Sequence, residues 1–351
     1  MPFYYQIDNS KADERRIAKN LLKIKESFIK NKIPVRSIDK TIMLATWNIM
    51  EFDNAKFGIR GKEPLFYIAE IISRFDVVAV QEVKEDLTAL KKLMGILGSY
   101  WKCVLTDVTR GTQGNGERLV FLYDSRKVNF GGLACEIVIP PVKKKGKTLT
   151  PSRQLARTPF MVGFQSGWFK FTICTVHIYY GEQKAIDPVR VEEIKEIAEF
   201  LAAEAKKKYA WSNNMILLGD FNIFSTTDET MKAITKAGFY VPQQLQKLPS
   251  NIPQNKHYDQ IGFLTPRIKE QISTFNAGVI NYYKQVYPDS DESTYVSAMG
   301  KGYKDKKDKK KKTSYYKQWR TFQMSDHLPM WIELKVDFGE DYLKSKTKPK
   351  K

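Results

Sequence analysis

Eight polar residues of this 351-residue chain stand where an apolar run ends or begins, a place that folding alone does not call for. Asn48 follows LATW, Glu82 follows VVAVQ, His177 follows ICTV, and Asp220 and Asn222 follow or closely flank MILLG. Asp259 precedes the apolar IGFL, and Asp326 with His327 precedes LPMWIEL. Each has an ordinary reading taken singly: a Gly-Asp at a strand end makes a turn, and a single histidine is commonly a hydrogen-bonded structural residue. Two of only three histidines sit at such positions, and strand ends sharing one rim would bring the whole set together. Asn48, Glu82 and Asp326 offer hard oxygen ligands with no thiolate and no His-x-x-x-His pair, which favours Mg2+, with Mn2+ or Ca2+ as alternatives, over zinc. The natural substrate of such a site is a phosphoryl group. Phosphodiester hydrolysis needs a base for water, an acid for the leaving oxygen and positive charge on the non-bridging oxygens. Two histidines, a metal and an arginine supply these. Each histidine also wants a carboxylate at its other ring nitrogen, and Glu117 and Asp259 are candidates. The third histidine, His257, beside Asp259, is read as structural.

Those residues need rigid elements behind them. Ile17, Leu21, Ile24 and Phe28 at helical spacing predict an amphipathic accessory helix over 13–30. From Thr41 short apolar runs take over: TIMLATW, DVVAVQ, RLVFLY, RTPFMVGF, KFTICTVHI and NMILLGD read as strands. Helices are predicted at 64–74, 86–97 and 228–236, and one opens at Pro188 after Asp187, with Val191, Ile194, Ala198, Leu201 and Ala205 on one face. Strands with interspersed helices imply an α/β sandwich. No internal repeat is visible. The expected organisation is an N-terminal helical extension over 1–38, one catalytic domain over 39–337, and a disordered basic tail over 338–351. The stretches 143–152 and 288–318 read as mobile loops.

In order along the chain stand ATWNIMEFD, VVAVQEVKED, NGERLVFLYD, ARTPFMV, TVHI, LLGDFNIF, HYDQI and SDHLPM. This ordered set resembles the endonuclease/exonuclease/phosphatase superfamily, most closely its deoxyribonuclease I branch, from about Thr41 to Val336. The resemblance implies a four-layer α/β sandwich of two packed mixed β-sheets flanked by helices. It implies that Glu82 binds the catalytic metal with help from Asn48, and that Asp326 belongs to the metal or phosphate site. It pairs His177 with Glu117 and His327 with Asp259 as general acid and base, in either order. Asp220 and Asn222 would position water and phosphate, and Arg157 would clamp the phosphate oxygens. Other branches match less well: inositol polyphosphate phosphatases favour Trp-Thr/Cys-Asp-Arg where this chain reads His257-Tyr258-Asp259-Gln260. AP endonucleases usually carry another arrangement at the His177 and Glu117 positions. Sphingomyelinases share the histidine pair but are typically secreted or membrane-attached. Three positions depart from the deoxyribonuclease branch: Lys84 replaces a groove-reading arginine and has no planar fork, Met50 replaces another arginine, and Asn115 replaces a groove-stacking tyrosine.

Composition sets the context. The chain is 42% apolar and 13% aromatic, enough for a sizeable core, and carries a formal net charge of +19. Residues 301–312 contribute +6, 143–147 contribute +4 and 338–351 contribute +3. Such lysine runs are either solvated segments or capture surfaces for a polyanion. Tyr315, Tyr316, Lys317, Trp319 and Arg320 are equally readable as a base-stacking cluster or as packing, while Trp47, Trp168 and Trp331 read as core. Cys103, Cys135 and Cys174 suit buried thiols in a reducing setting. No run of ~18 apolar residues and no apolar leader is seen, so a cytoplasmic monomer with no membrane partner is expected. The resulting expectation is a Mg2+-dependent phosphodiesterase, foremost an endonuclease, with nucleic acid as partner and DNA ahead of RNA. The alternatives are hydrolysis of a small-molecule phosphate or phospholipid headgroup, and a binding protein that kept the fold and lost the chemistry.

Overall fold

A computed structural model describes residues 2–54, 59–111, 113–141, 152–265 and 276–347. The lysine run 143–147 lies outside them. The alternation of residue types along β1 (Thr41–Phe52) explains the layering. Ile42 and Leu44 point one way into a core between two sheets, whereas Met43, Ala45, Trp47 and Ile49 point the other way into a core under helices. A strand apolar on both faces is one that must be covered on both.

Five partners complete the first sheet: β2 (Val77–Val83), β3 (Trp101–Leu105), β4 (Arg118–Asp124), β10 (Ala277–Val279) and β11 (Met330–Lys335), in the order β10-β11-β1-β2-β4-β3. The second holds β5 (Asn129–Glu136), β6 (Phe160–Ser166), β7 (Phe169–His177), β8 (Met215–Asp220) and β9 (Asp259–Leu264) in sequence order. β1 and β2 run parallel, as do β7 and β8, and the other pairs are antiparallel, so both sheets are mixed. Phe121, Phe160, Phe164, Phe171, Ile216 and Ile261 fill the space between them. Each such side chain contributes about 1.5–3 kcal/mol when fully buried, and a one-residue slip of register would turn it outward. The register that holds the core therefore also fixes which residue ends each strand.

Helices α1 (Ala12–Lys30), α2 (Lys62–Ile72) and α3 (Thr88–Leu97) cover the first sheet, with Ile17, Leu21, Ile24 and Phe28 of α1 inside that core. Helices α4 (Pro188–Ala205) and α5 (Glu229–Lys236) cover the second, and a short α6 spans Gln243–Gln246. Asp187 caps α4 by accepting hydrogen bonds from the Val189 and Arg190 amides at 2.9 and 3.2 Å. The expected four-layer α/β sandwich is the observed architecture.

Three expectations need correction. The 288–318 segment is not a loop: 3-10 turns over Asp289–Tyr295 lead into α7 (Val296–Lys304) and α8 (Lys309–Gln323). Tyr295, Tyr316 and Trp319 pack beneath them and supply the missing apolar surface. Residues Gly339–Lys346 form a helix, α9, in the stretch read as a disordered tail. Trp168 lies in the β6–β7 turn and is 59% exposed, so it belongs to no core; its ring meets that of Tyr342 at 5.5 Å. Strands β3, β5 and β10 were not foreseen. Most of β5 is exposed and interrupted by Gly131-Gly132, which removes the alternation that marks a strand.

Candidate active site

The register of the two sheets brings the strand-end residues together. Asp220 is paired across to His177 on one side and to Asp259 on the other. The residue before it must be glycine: Gly219 has φ +137°, and a Cβ there would lie 2.1 Å from the Val176 carbonyl oxygen. From the first sheet, Asn48 stands where the β1–β2 register breaks, and Glu82 lies inside the corresponding break. Ser325 then ties the loop before β11 to β1. Its hydroxyl donates to the Asn48 carbonyl at 2.6 Å and accepts from the Met50 and His327 amides at 3.1 and 3.0 Å.

Two histidine–carboxylate pairs result. Glu117 Oε2 lies 2.7 Å from His177 Nδ1, and Asp259 Oδ2 lies 2.8 Å from His327 Nδ1. Their Nε2 atoms converge on one oxygen, Asp220 Oδ2, at 3.5 and 3.7 Å. That oxygen also accepts from Asn48 Nδ2 at 3.0 Å, and Asp220 Oδ1 accepts from the Asn222 amide at 2.9 Å. Burial disfavours the cationic form of His327, but Asp259 and Asp220 outweigh it and push its pKa well above the ordinary histidine value. At His177 burial and the neighbouring Arg157 lower the pKa, while Glu117 and Asp220 reverse the balance to a net rise. Burial alone would raise the Glu117 carboxyl; His177, Arg157 and Lys84 hold it well below the carboxylate range.

The cleft around these pairs has a volume of about 360 Å³ and is lined by all the expected residues except Asn48 and Asp259, which lie buried behind it. Arg157 enters it with Nε 3.6 Å from Glu117 Oε2. Asn222 lines it too, although its Nδ2 is already bonded to the Ile178 carbonyl at 2.8 Å. Glu51, Glu82, Asn115 and Asn222 all have positive φ between 47° and 62°, and all four line the cleft. Left-handed non-glycine residues cost on the order of 1–3 kcal/mol each, and they collect where surrounding structure holds side chains for a task.

An oxygen-binding cation fits the donors present. Asn48 Nδ2 donates to Glu82 Oε1 at 2.9 Å and the Glu51 amide to Glu82 Oε2 at 2.8 Å, which fixes that carboxylate. Asn48 Oδ1 is fully buried with no hydrogen-bond partner, an acceptor that a hard cation would satisfy. Burial, with the Glu82 charge adding to it against His327, lifts the pKa of Asp326. Glu82, Glu117 and His177 also place ligand atoms within 4.8 Å of one another, as do Asp220, Asp259 and His327. The histidines of these groups are already bonded to carboxylates, so Glu82, Asn48 and Asp326 retain the freer oxygens.

Several positioning residues went unread in the sequence. On α4, Glu193 is 3% exposed and accepts from the Ala156 amide at 2.8 Å and the Tyr179 amide at 2.9 Å. It thereby holds the segments that carry Arg157 and follow His177. Arg190 is fully buried and donates to the Tyr179, Tyr180 and Lys184 carbonyls. The signal was present, since Arg190 and Glu193 share the helical stripe of Ile194, Ile197 and Leu201, where a charge needs a reason. Ser250 supports Asp259 through its hydroxyl, at 2.9 Å from the Asp259 amide.

Other expectations resolve differently. Lys84 Nζ is 3.3 Å from Glu117 Oε1, 3.2 Å from the Asn115 carbonyl and 3.6 Å from Glu51 Oε2, so its charge is spent inside the protein rather than on a phosphate. Tyr316, Trp319 and Arg320 are buried, with Arg320 paired to Asp289 at 2.6 Å, so these three members of that cluster are packing, whereas Tyr315 is half-buried and Lys317 exposed. His257 does not line the cleft, and its Nδ1 is buried with no hydrogen-bond partner. All three cysteines are free thiols; Cys174 is buried, whereas Cys103 and Cys135 are half-buried.

No family model matches the chain, and no curated protein sequence matches it. Solved structures do share its fold, endonuclease/exonuclease/phosphatase family proteins among them, so the fold that the resemblance implied is the observed one. One is an endonuclease/exonuclease/phosphatase family protein from Bacteroides thetaiotaomicron, 18% identical, covering 86% of this chain and 98% of that one with a TM-score of 0.52. Another is D. rerio TDP2 complexed with single strand DNA product, 14% identical, covering 84% and 99% with a TM-score of 0.51. A third, mannosyl-6-phosphatase Bt3783 from Bacteroides thetaiotaomicron, is 17% identical over 84% and 99%, also with a TM-score of 0.51.

Proposed function

We propose that the chain is a divalent-metal-dependent phosphodiesterase, and that its substrate is a nucleic acid. The observation that carries the reading is the convergence of both histidine Nε2 atoms on Asp220 Oδ2 inside a cleft that also holds Arg157 and the Glu82 carboxylate. A histidine backed by a carboxylate keeps one tautomer and can accept or release a proton at Nε2. Two of them face each other across one small space, so one can take a proton from water while the other gives one to the leaving oxygen. Arg157 would meet the non-bridging oxygens, and Asp220 with Asn222 would orient the attacking water and the phosphate. Glu82, Asn48 and Asp326 would hold Mg2+ or a similar cation, which supplies Lewis-acid stabilisation of charge on the phosphoryl oxygens when bound.

The net charge of +19 favours a polyanion over a small neutral-headed substrate. Neighbours of the same fold include one bound to a DNA product and one named for a sugar phosphate, so hydrolysis of a small phosphate is the second reading. The test is a panel: supercoiled plasmid, linear duplex, single-stranded DNA, RNA, mannose 6-phosphate and short-chain phospholipids, each with Mg2+, Mn2+ or EDTA. Metal-dependent cleavage of a nucleic acid supports the reading. Turnover confined to monoesters or lipids would replace it.

A further inference from the structure

One wall of the cleft is aromatic, and the catalytic scheme leaves its rings without a task. Tyr180 and Tyr258 both line the cleft and are only half-buried. The Tyr258 ring stacks on the His327 imidazole at 5.3 Å and 28°, and meets Phe224 and Tyr180 edge-on at 5.7 and 6.3 Å. Tyr180 in turn stacks on Phe224 at 6.3 Å and 28°. Two cations border these rings: Lys256 Nζ lies 3.8 Å from the Phe224 centroid, and the Arg190 guanidinium lies 5.1 and 5.7 Å from Phe224 and Tyr180. The segment is braced, because Arg190 holds its carbonyls and Glu193 its Tyr179 amide. The rings thus form a preset platform beside the scissile position.

The rest of the lining is poorly equipped to read a duplex. Met50 and Asn115 line the same cleft, and the Lys84 ammonium is committed to Glu117, Glu51 and the Asn115 carbonyl. A base can stack on a protein ring only when it has left its own stack, which a single strand or a splayed-out nucleotide allows at little cost. From the aromatic residues of the cleft, their bordering cations and the committed Lys84, we infer that Tyr180 and Tyr258 form a stacking subsite for an unpaired nucleobase flanking the scissile phosphodiester. The chain then prefers single-stranded nucleic acid to duplex. This inference rests on the phosphodiesterase reading for its biological sense, but stacking is measurable without hydrolysis.

The experiment is equilibrium binding in EDTA of three fluorescent DNA probes of equal length: a single strand, the same strand with its central bases replaced by tetrahydrofuran abasic units, and the duplex. The single strand binds roughly 10-fold or more tightly than the abasic strand, the scale of one lost base–aromatic stack. Tyr180→Leu erases that difference and Tyr180→Phe keeps it. Equal affinity of the wild-type protein for the base-bearing and abasic strands, or tighter binding of the duplex, overturns the subsite, and this comparison needs no variant to fold. An equal loss in Tyr180→Leu for both strands would overturn it too. The hydrolase reading fails separately, on absence of metal-dependent turnover in the panel above, and base discrimination seen without turnover would retain the subsite while removing the enzyme.

Discussion

At the scale of single residues, the site is defined by what each polar atom has as a partner. Asn48 is the clearest case, because its Nδ2 bridges Glu82 and Asp220 while its Oδ1 has no partner at all. If that oxygen belongs to a cation, Asn48→Ala removes one ligand and loosens the Glu82 carboxylate that supplies another. The metal concentration for half-maximal activity should rise about 10- to 100-fold, the range seen when a group supporting a metal site is lost. Metal titration of activity checks this, and an unchanged midpoint would detach Asn48 from the metal. Nearly all of this set was legible in the sequence, since a polar residue at the end of an apolar run is conspicuous. What could not be read was commitment to other partners. Nothing in the sequence shows that Lys84 faces Glu51 and Glu117, because those contacts depend on backbone turns at Glu51 and Glu82 with positive φ.

At the scale of elements, two charged networks hold the pieces in register. Glu193 joins α4 to the segments carrying Ala156 and Tyr179, and its removal strands two buried amides. Glu193→Ala should therefore destabilise the protein by about 2 kcal/mol or more, since each unsatisfied buried donor costs roughly 1–3 kcal/mol. It should also raise KM through a displaced Arg157. Thermal melts and steady-state kinetics test both, and a wild-type Tm would contradict the account.

The second network joins the segment after α1 to the start of β2 and the end of β4 in the first sheet. Arg36 bridges Asp76 and Asp124, at 2.5 and 2.7 Å, and Lys127 also pairs with Asp76. Burial would raise the Asp124 carboxyl, but Arg126 and Arg36 hold it well below its ordinary value. A depressed folded-state pKa means stability that is present above the unfolded value of about 3.9 and lost as pH falls toward the folded one. The stability difference between wild type and Asp124→Asn should thus be largest at neutral pH and shrink below about pH 4. Denaturant melts across pH measure it; a difference independent of pH would contradict the sign. The strands of uniform apolar character were readable from sequence, whereas α7 and α8 were not. Their lysines mask a buried stripe of Tyr303, Tyr316 and Trp319, and charge density is a poor guide to a helix whose other face is aromatic.

At the scale of the whole molecule, the layered fold places one small acidic pocket within a strongly basic chain. Eight lysines lie between residues 301 and 312, partly on α7 and α8, and they would act on a polyanion at range rather than by contact with the cleft. Replacing Lys309, Lys310, Lys311 and Lys312 by glutamine should flatten the fall of nucleic-acid cleavage with salt. Rates on a small aryl phosphodiester should stay near wild type, and equal losses on both substrates would contradict an electrostatic role. No helix among the described residues is long and apolar enough to cross a membrane.

The central claim is that the two carboxylate-backed histidines facing Asp220 transfer the protons of a metal-dependent phosphodiester hydrolysis. Its most direct test is single-turnover cleavage of an oligonucleotide by wild type, His177→Ala and His327→Ala, with Mg2+ and with EDTA, after melts show each variant folded. The account predicts cleavage by wild type only with metal, and a loss of ~10²- to 10⁴-fold in each variant, the usual contribution of a positioned proton donor or acceptor. Near-normal cleavage by both variants, or cleavage by wild type that survives EDTA, would contradict it.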